Sequence, residues 1–289
     1  MNIGVGVSSD RSGNYGYYWG MDSYKKAKEF GFTHVDFGML GDESKPVYTL
    51  PEEEAMKLLL AEKAALDEAG LKISQSHAPF FSRANPFTEE EKAGIMEVTK
   101  KAIRFSKAID CPYLVVHPIM INGWSERGSE LAKDTFEKNV NMLRELSDYA
   151  AEYDVVLCYE NMPCIGFSIS HPHEVLEVVK AVNHPNLGIC FDSGHTTAFK
   201  SPLSIGEEIR GLGDYLKVLH IHDTYGNADQ HNFPGMGATD WKEVRAALED
   251  IGFEGVFNLE LNVLHRFSEK VFEQACRLSY AMADEIING

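Results

Sequence analysis

The stretch 187-LGICFDSGH-195 decides the fold. Five apolar or small residues run into Asp192, and His195 follows three positions on. A strand with no polar face is buried on both sides, as in a parallel sheet wrapped by helices. A carboxylate at its end must be paired, protonated or metal-bound. The same pattern recurs outward in both directions. Upstream, 155-VVLCYEN-161 ends its apolar run on Glu160; downstream, 217-KVLHIHD-223 carries His220 and His222, and 255-GVFNLELN-262 reaches Glu260. Further back, 72-KISQSH-77 and 113-YLVVH-117 end on His77 and His117. Several hydrophobic strands that each end in an ionisable residue, converging on one place, are how a parallel barrel builds a metal centre.

The rest of the chain repeats the unit. Strand patterns at 2–7, 33–37, 72–77, 113–117, 155–160, 187–192, 217–222 and 255–260 alternate with helical patterns at 22–30, 51–69, 88–109, 129–153, 173–182, 203–214, 240–251 and 268–287. About eight strand–helix units predict the α/β class and a single (β/α)8 TIM barrel, with residues 1–289 as one domain. The pairs Thr88/Glu91 and Asp240/Glu243 have capping-box spacing, and Gly31, Gly70 and Gly252 fall just past helical patterns. Ile95, Val98, Ile103, Phe105 and Ile109 mark one apolar stripe; Met56, Leu59, Leu60 and Leu66 mark another. The long connections, 38–50, 78–87, 118–128, 161–172, 193–202, 223–239 and 261–267, all follow strands. Long loops on that side place the active site at the C-terminal ends of the strands.

Charge and composition remove whole classes of function. With 27 basic against 44 acidic residues the net charge is −17, which repels a polyanion at long range. Nucleic acid is therefore not the expected partner. The apolar runs are strand-length, so no membrane span is expected, and the N-terminus lacks the charged-then-apolar order of a signal peptide. Five cysteines without a C-x-x-C pair read as reduced thiols of a cytoplasmic protein, with Cys158 and Cys190 as small core residues. A homo-oligomer is left open.

The candidate chemistry lies at the strand ends. Glu160 and Glu260 occupy equivalent positions three strands apart, a pairing suited to removing a proton from one side and returning one from another. Asp192 and His195 both reach the mouth if Gly194 turns the chain, and His220 shares their depth. His222 can serve as an outer residue orienting a ligand. Asp229-Gln230-His231 offers a chelating pair in the loop after the seventh strand, and His77 and His117 supply imidazoles from the other side. Together these leave room for a second or third metal. The remaining histidines, His34, His171, His173, His184 and His265, read as surface or local hydrogen-bonding residues. Among Trp19, Phe37, Phe80, Trp124 and Trp241, those near the long loops could stack on a sugar; Trp241 follows the cap Asp240 and reads as packing.

The segments YENMP (159–163), CFDSGH (190–195), HIHD (220–223), DQHNFPGMGATDW (229–241) and NLELN (258–262) resemble the xylose-isomerase-like TIM barrels. That superfamily includes sugar and sugar-phosphate isomerases and epimerases, inosose-processing enzymes and the endonuclease IV group, and the resemblance spans essentially the whole chain. The ketose 3-epimerase pattern implies one divalent ion (Mn, Mg, Co or Zn) held by Glu160, Asp192, His220 and Glu260. Glu160 and Glu260 would also be the catalytic proton-transferring pair, acting on a small sugar or polyol through a metal-stabilised enediolate, with His195 on a substrate oxygen. The chain departs from that pattern at Gly226, where those epimerases carry an arginine. The endonuclease IV pattern implies instead up to three zinc ions on His77, His117, Glu160, Asp192, His195, His220, Asp229, His231 and Glu260, and phosphodiester cleavage. The expectation is a metal-dependent isomerase or epimerase of carbohydrate metabolism. A zinc-dependent phosphodiesterase acting on abasic DNA and a non-catalytic sugar-binding barrel are the alternatives.

Overall fold

The computed structural model describes residues 1–7, 24–199, 201–261, 264 and 267–289. Eight strands are present: β1 (Asn2–Val7), β2 (His34–Phe37), β3 (Lys72–His77), β4 (Tyr113–Val116), β5 (Val156–Glu160), β6 (Leu187–Asp192), β7 (Leu216–His220) and β8 (Val256–Leu259). They form one parallel sheet in the order β7-β6-β5-β4-β3-β2-β1-β8. Just beyond β7 the ring closes: Ile221 N–H donates to Asn258 O at 2.8 Å, and Glu260 N–H donates to Ile221 O at 3.0 Å. The expected (β/α)8 barrel is what forms. The helices are α1 (Tyr24–Glu29), α2 (Pro46–Thr49), α3 (Glu52–Ala69), α4 (Glu89–Ala108), α5 (Glu130–Ala151), α6 (Pro172–Val182), α7 (Ser193–Ala198), α8 (Ile205–Leu212), α9 (Trp241–Asp250) and α10 (Glu269–Asn288).

The caps explain the helix ends. Thr88 Oγ1 accepts from Glu91 N–H at 3.2 Å while Glu91 Oε2 accepts from Thr88 N–H at 2.7 Å, the reciprocal box the spacing predicts. Asp240 caps α9 through Glu243 N–H at 3.0 Å, but the Glu243 carboxylate turns to the Ser204 hydroxyl, so no reciprocal box forms there. Gly70, at φ 73°, closes α3 in the left-handed region. Two apolar stripes need correction. Leu60 is 48% exposed; the buried face of α3 runs through Ala55, Leu59, Glu62 and Leu66, and Leu60 lies about 100° away from it. Glu62 is tolerated inside because Tyr24 donates its hydroxyl to it at 2.6 Å. In α4 the buried position is Thr99 rather than Val98, with its hydroxyl returned to Ile95 O at 2.8 Å. Inside two loops that the sequence leaves unstructured lie α2 and α7.

The barrel interior is divided. Val115, Cys158, Cys190 and Val218 form a small apolar cluster separate from the main core. Each precedes a site residue by two positions, so each shares its strand face with His117, Glu160, Asp192 or His220. On the remaining strands the same level carries Asp36, Gln75 and Asn258, all buried. The large core lies between the sheet and the helices.

Candidate metal centre

Four strand ends meet at the C-terminal mouth. One ligand atom each from Glu160, Asp192, His220 and Glu260 fall within 4.8 Å of one another. The first three are buried, and Glu260, one residue past β8, is the most open of the four. His220 Nδ1 stands 2.7 Å from Glu160 Oε1 and 3.6 Å from Glu260 Oε2, while Nε2 stands 3.0 Å from Asp36 Oδ2. Both ring nitrogens thus face carboxylates. Burial opposes charge on this imidazole, but the Cys190 side chain, Glu160, Glu260 and Asp36 outweigh it and hold its pKa well above the ordinary value. Burial likewise opposes the charge on Glu160, but His220 and His117 hold its pKa well below the usual carboxylate range.

Glu160 joins this group to a second one. Its Oε2 lies 2.9 Å from His117 Nε2 and 3.3 Å from His77 Nε2, and the three residues could share an ion. Burial wins at His117, pushing its pKa down to about 4; at His77 the same burial is outweighed by Glu160, and the pKa is raised.

A third group gathers His195, His222, Asp229 and His231. Asp192 is the N-cap of α7 and accepts from His195 N–H at 2.6 Å, so one helical turn, not a bend at Gly194, carries both side chains to the mouth. Gly194 serves another purpose. A Cβ there would lie 1.9 Å from His222 Cε1, so only glycine lets that ring approach. His222 Nε2 reaches Asp192 Oδ2 at 3.0 Å, and its ring stacks on His231 at 3.9 Å between centroids. Asp229 Oδ2 is 3.1 Å from His231 Nε2 and 3.4 Å from His195 Nε2. Against burial, Asp192 and Asp229 raise His195 to about 10, and Glu260 and Asp229 raise His231 to about 9. Those two histidines hold the Asp229 carboxyl far below its usual range despite the opposing effect of burial.

The third group is carried by a loop with its own anchor. Asp223 is buried, and its carboxylate accepts five N–H groups at 2.8–3.2 Å: those of Thr224, Gly235, Gly237 and Thr239, and the Trp241 indole. Asp223 and Asn232 also exchange backbone hydrogen bonds, both at 2.9 Å. This pairing seats His231 beside the mouth with φ at 49°, in the left-handed region.

All ten residues proposed from the sequence therefore fall into three adjoining groups, with His222 in the third. Of the aromatics, Phe80 and Trp124 are exposed near the mouth, and Phe80 lies 4.5 Å from the His117 ring. Phe37 is buried and out of reach of any substrate. Trp241 packs, giving its N–H to Asp223. Trp19 and His265 lie outside the described residues. His34 sits at the opposite end of the barrel, His173 pairs with Glu208 at 2.8 Å, His184 lies 3.3 Å from Asp148, and His171 caps α6. Sequence reasoning passed over Asp36, whose signal was a carboxylate inside the strand pattern THVDF; Cys190 is the small core residue expected, in the inner apolar cluster, and also lies within reach of Glu160 and His220.

The residues fit a divalent ion. The first group offers three carboxylates and one imidazole, a mixed oxygen–nitrogen set suited to Mn, Mg, Co or Zn. Among the described residues Glu260 Oε2 is buried without a hydrogen-bond partner, as are His117 Nδ1 and His222 Nδ1. A buried carboxylate oxygen without a partner is costly, and an ion would satisfy it.

Residues 24–282 match the xylose isomerase-like TIM barrel family. The chain belongs to that family. It is similar to an uncharacterized protein of Methanocaldococcus jannaschii, 34% identical over 188 residues, covering 64% of this chain and 62% of the relative. An inosose isomerase of Bacillus licheniformis is 29% identical over 174 residues, covering 58% and 60%. The chain spans about three-fifths of the length of these curated relatives. Among solved structures, a D-tagatose 3-epimerase-like protein is 25% identical with a TM-score of 0.75, covering 100% of this chain and 98% of its own. The IOLI protein, described with a binding zinc atom, is 21% identical with a TM-score of 0.71, covering 99% and 96%. No helix among the described residues is long and apolar enough to cross a membrane.

Proposed function

We propose that this chain is a metal-dependent isomerase or epimerase of a small sugar or polyol, acting by proton transfer through Glu160 and Glu260. The observation that carries the reading is the convergence of Glu160, Asp192, His220 and Glu260 at the mouth, with Glu260 Oε2 left without a hydrogen bond among the described residues. Relatives named inosose isomerase and D-psicose 3-epimerase support the substrate class. Glu160, Asp192, His220 and Glu260 would hold a divalent ion. Bound there, the ion would polarise adjacent carbonyl and hydroxyl oxygens of the substrate and make its C–H proton more acidic. Glu260, the more open carboxylate, takes the proton from one side of the substrate. The negative charge spreads over an enediolate; Glu160 returns a proton from the other side, drawing it through His77, whose Nε2 lies 3.3 Å from Glu160 Oε2, and Glu260 gives up its proton to solvent. His195, beside Asp192 and Asp229, faces a substrate oxygen. Phe80 and Trp124 offer apolar surface to the sugar carbons. We take residues 1–289 as one domain, and the five unpaired cysteines support a reducing, cytoplasmic setting. The test is solvent-deuterium incorporation into candidate ketoses and inososes by protein loaded with Mn²⁺. Incorporation lost on chelation and regained on adding Mn²⁺ is expected; none with any such substrate would retire the reading.

The grouping of His77/His117/Glu160, the four-ligand set, and His195/His222/Asp229/His231 favours a second reading. Three adjoining ligand groups suit three zinc ions and cleavage of a phosphodiester. Elemental analysis separates the two readings: about one ion per chain supports proton transfer, and about three zinc ions support hydrolysis.

A further inference from the structure

Asp36 stands one layer below the ligand cluster, inside the barrel and 6% exposed. A buried carboxylate is costly unless it is paired or hydrogen-bonded. Its Oδ2 receives three contacts: His220 Nε2 at 3.0 Å, Gln75 Nε2 at 3.0 Å and Asn258 Nδ2 at 3.3 Å. Among the described residues His220 is its one ion-pair partner. Three features of the chain assemble this arrangement. The β2–β3 register shifts between Val35 and Asp36, so that Asp36 faces Gln75 across the pair, and the additional residue, Ser74, bonds Val35 O through its hydroxyl at 2.9 Å. Gln75 is held from a second side by Leu219 O at 3.3 Å. On β1, a Cβ at position 4 would lie 2.3 Å from Asn258 Oδ1, so Gly4 provides the space in which Asn258 leans toward Asp36.

We infer that Asp36 is a positioning residue of the metal centre: it fixes the ring orientation and tautomer of His220, and Gln75 and Asn258 hold it in place. With an ion held on Nδ1, the nitrogen that faces Glu160 and Glu260, the ring would keep one proton, on Nε2, where Asp36 Oδ2 stands 3.0 Å away to accept it. That leaves Nδ1 as the nitrogen presented to Glu160 and Glu260, and rotating the ring by half a turn would set a carbon against Asp36. A ligand histidine whose far nitrogen is bound by a carboxylate is both oriented and made a better donor, and losing the carboxylate typically costs about 10–100-fold in metal affinity. The inference rests on the reading of Glu160, Asp192, His220 and Glu260 as an ion site.

The test uses Mn²⁺ as probe, titrated into the full chain after chelation, with four variants: Asp36→Asn, Asn258→Ala, His220→Ala, and Asp36→Asn combined with His220→Ala. Asp36→Asn should raise the Mn²⁺ Kd about tenfold. Once His220 is gone, the same change should have almost no further effect, because Asp36 acts through that ring. Asn258→Ala keeps the carboxylate but loosens it, and should raise the Kd about threefold by the same route; it stands in if Asp36→Asn does not fold. In Zn²⁺-loaded, ¹⁵N-histidine-labelled protein, His220 should carry its proton on Nε2. A drop in the Tm of the chelated protein with an unchanged Mn²⁺ Kd would make Asp36 merely structural and overturn the inference. So would an undiminished Asp36→Asn effect in the His220→Ala background, or a proton on Nδ1. If His220→Ala itself leaves Mn²⁺ binding unchanged, the ion-site reading falls, and that failure is distinct from the others.

Discussion

Glu160 is the residue on which two ligand groups turn. One carboxylate oxygen faces His220 and the other faces His117 and His77, and the side chain is 1% exposed. Glu260 is different: its side chain is 30% exposed, and among the described residues one oxygen makes no hydrogen bond. Two glutamates at the same strand ends therefore have unequal work. Glu260 is the more open to the mouth, and Glu160 is held by the histidines that would resupply its proton. Glu260→Gln is expected to abolish solvent-deuterium exchange into a sugar while leaving the fold intact by circular dichroism. Glu160→Gln should lose metal as well as exchange. Full exchange in both variants would sink the two-glutamate mechanism. The histidines add a pH signature. His195 is raised to about 10 and His231 to about 9, so each binds its proton more tightly folded than unfolded. Their contribution to stability is complete below about pH 6.5 and is lost as the pH rises through 9 and 10. The Tm of chelated protein should fall between pH 7 and 10. The further rise in Tm on adding Zn²⁺ should grow over the same range, because ligand protons leave. A chelated protein whose Tm climbs across that interval would contradict the assignment.

The third ligand group takes Asp229 and His231 from the segment between Asp223 and Trp241. Before α9 begins at Trp241 that segment holds one backbone bridge and no helix or strand, yet one buried carboxylate collects five N–H donors from along its length and so fixes where Asp229 and His231 point. Asp223→Asn replaces one acceptor oxygen with an amide that confronts those donors. A destabilisation on the order of 3 kcal/mol is expected, with amide hydrogen exchange accelerated in 224–239 ahead of the barrel strands. Uniform acceleration over the whole chain would argue against a local anchor. Next to it, Gly194→Ala is expected to push the His222 ring off Asp192 and His231, and to weaken the third ligand group more than the first. These two elements also show what was legible beforehand. Strands and long helices announced themselves through apolar runs, capping pairs and glycine stops, because those signals are local. The six-residue α7 hid inside a loop: SGHTTA has no stripe to read, and its reason for being helical is the Asp192 cap. The candidate ligands at the strand ends were readable because their strands run into them, whereas Asp229 and His231 were read only from the spacing Asp229-Gln230-His231 in a loop. Asp36 was not, since its partners Gln75, His220 and Asn258 lie 39, 184 and 222 residues away. Leu60 was misplaced because its hydrophobicity outweighed its angle on the helix.

At the scale of the molecule two features pull in opposite directions. Three ligand groups at the mouth are what a zinc phosphodiesterase would need, whereas a net charge of −17 disfavours the approach of any polyanion before a contact forms. The structure adds to the second side. Duplex binding draws on lysines and arginines offered to phosphates. On the loops around the mouth, Arg83 is bidentate to Glu91, and Arg127 is engaged by both oxygens of Glu174. Those guanidinium groups would have to leave a carboxylate to meet a phosphate. A small neutral sugar, the substrate class proposed above, makes no such demand, and Phe80 and Trp124 are exposed on the loops around the mouth. Zinc-loaded protein at moderate salt is therefore expected not to nick duplex DNA at an abasic site, and to show no shift of such a duplex in a binding gel. Robust zinc-dependent cleavage that disappears in His231→Ala would reverse the order of the two readings: the third ligand group would then be catalytic, and the acidic surface would be a constraint on rate and not on substrate class.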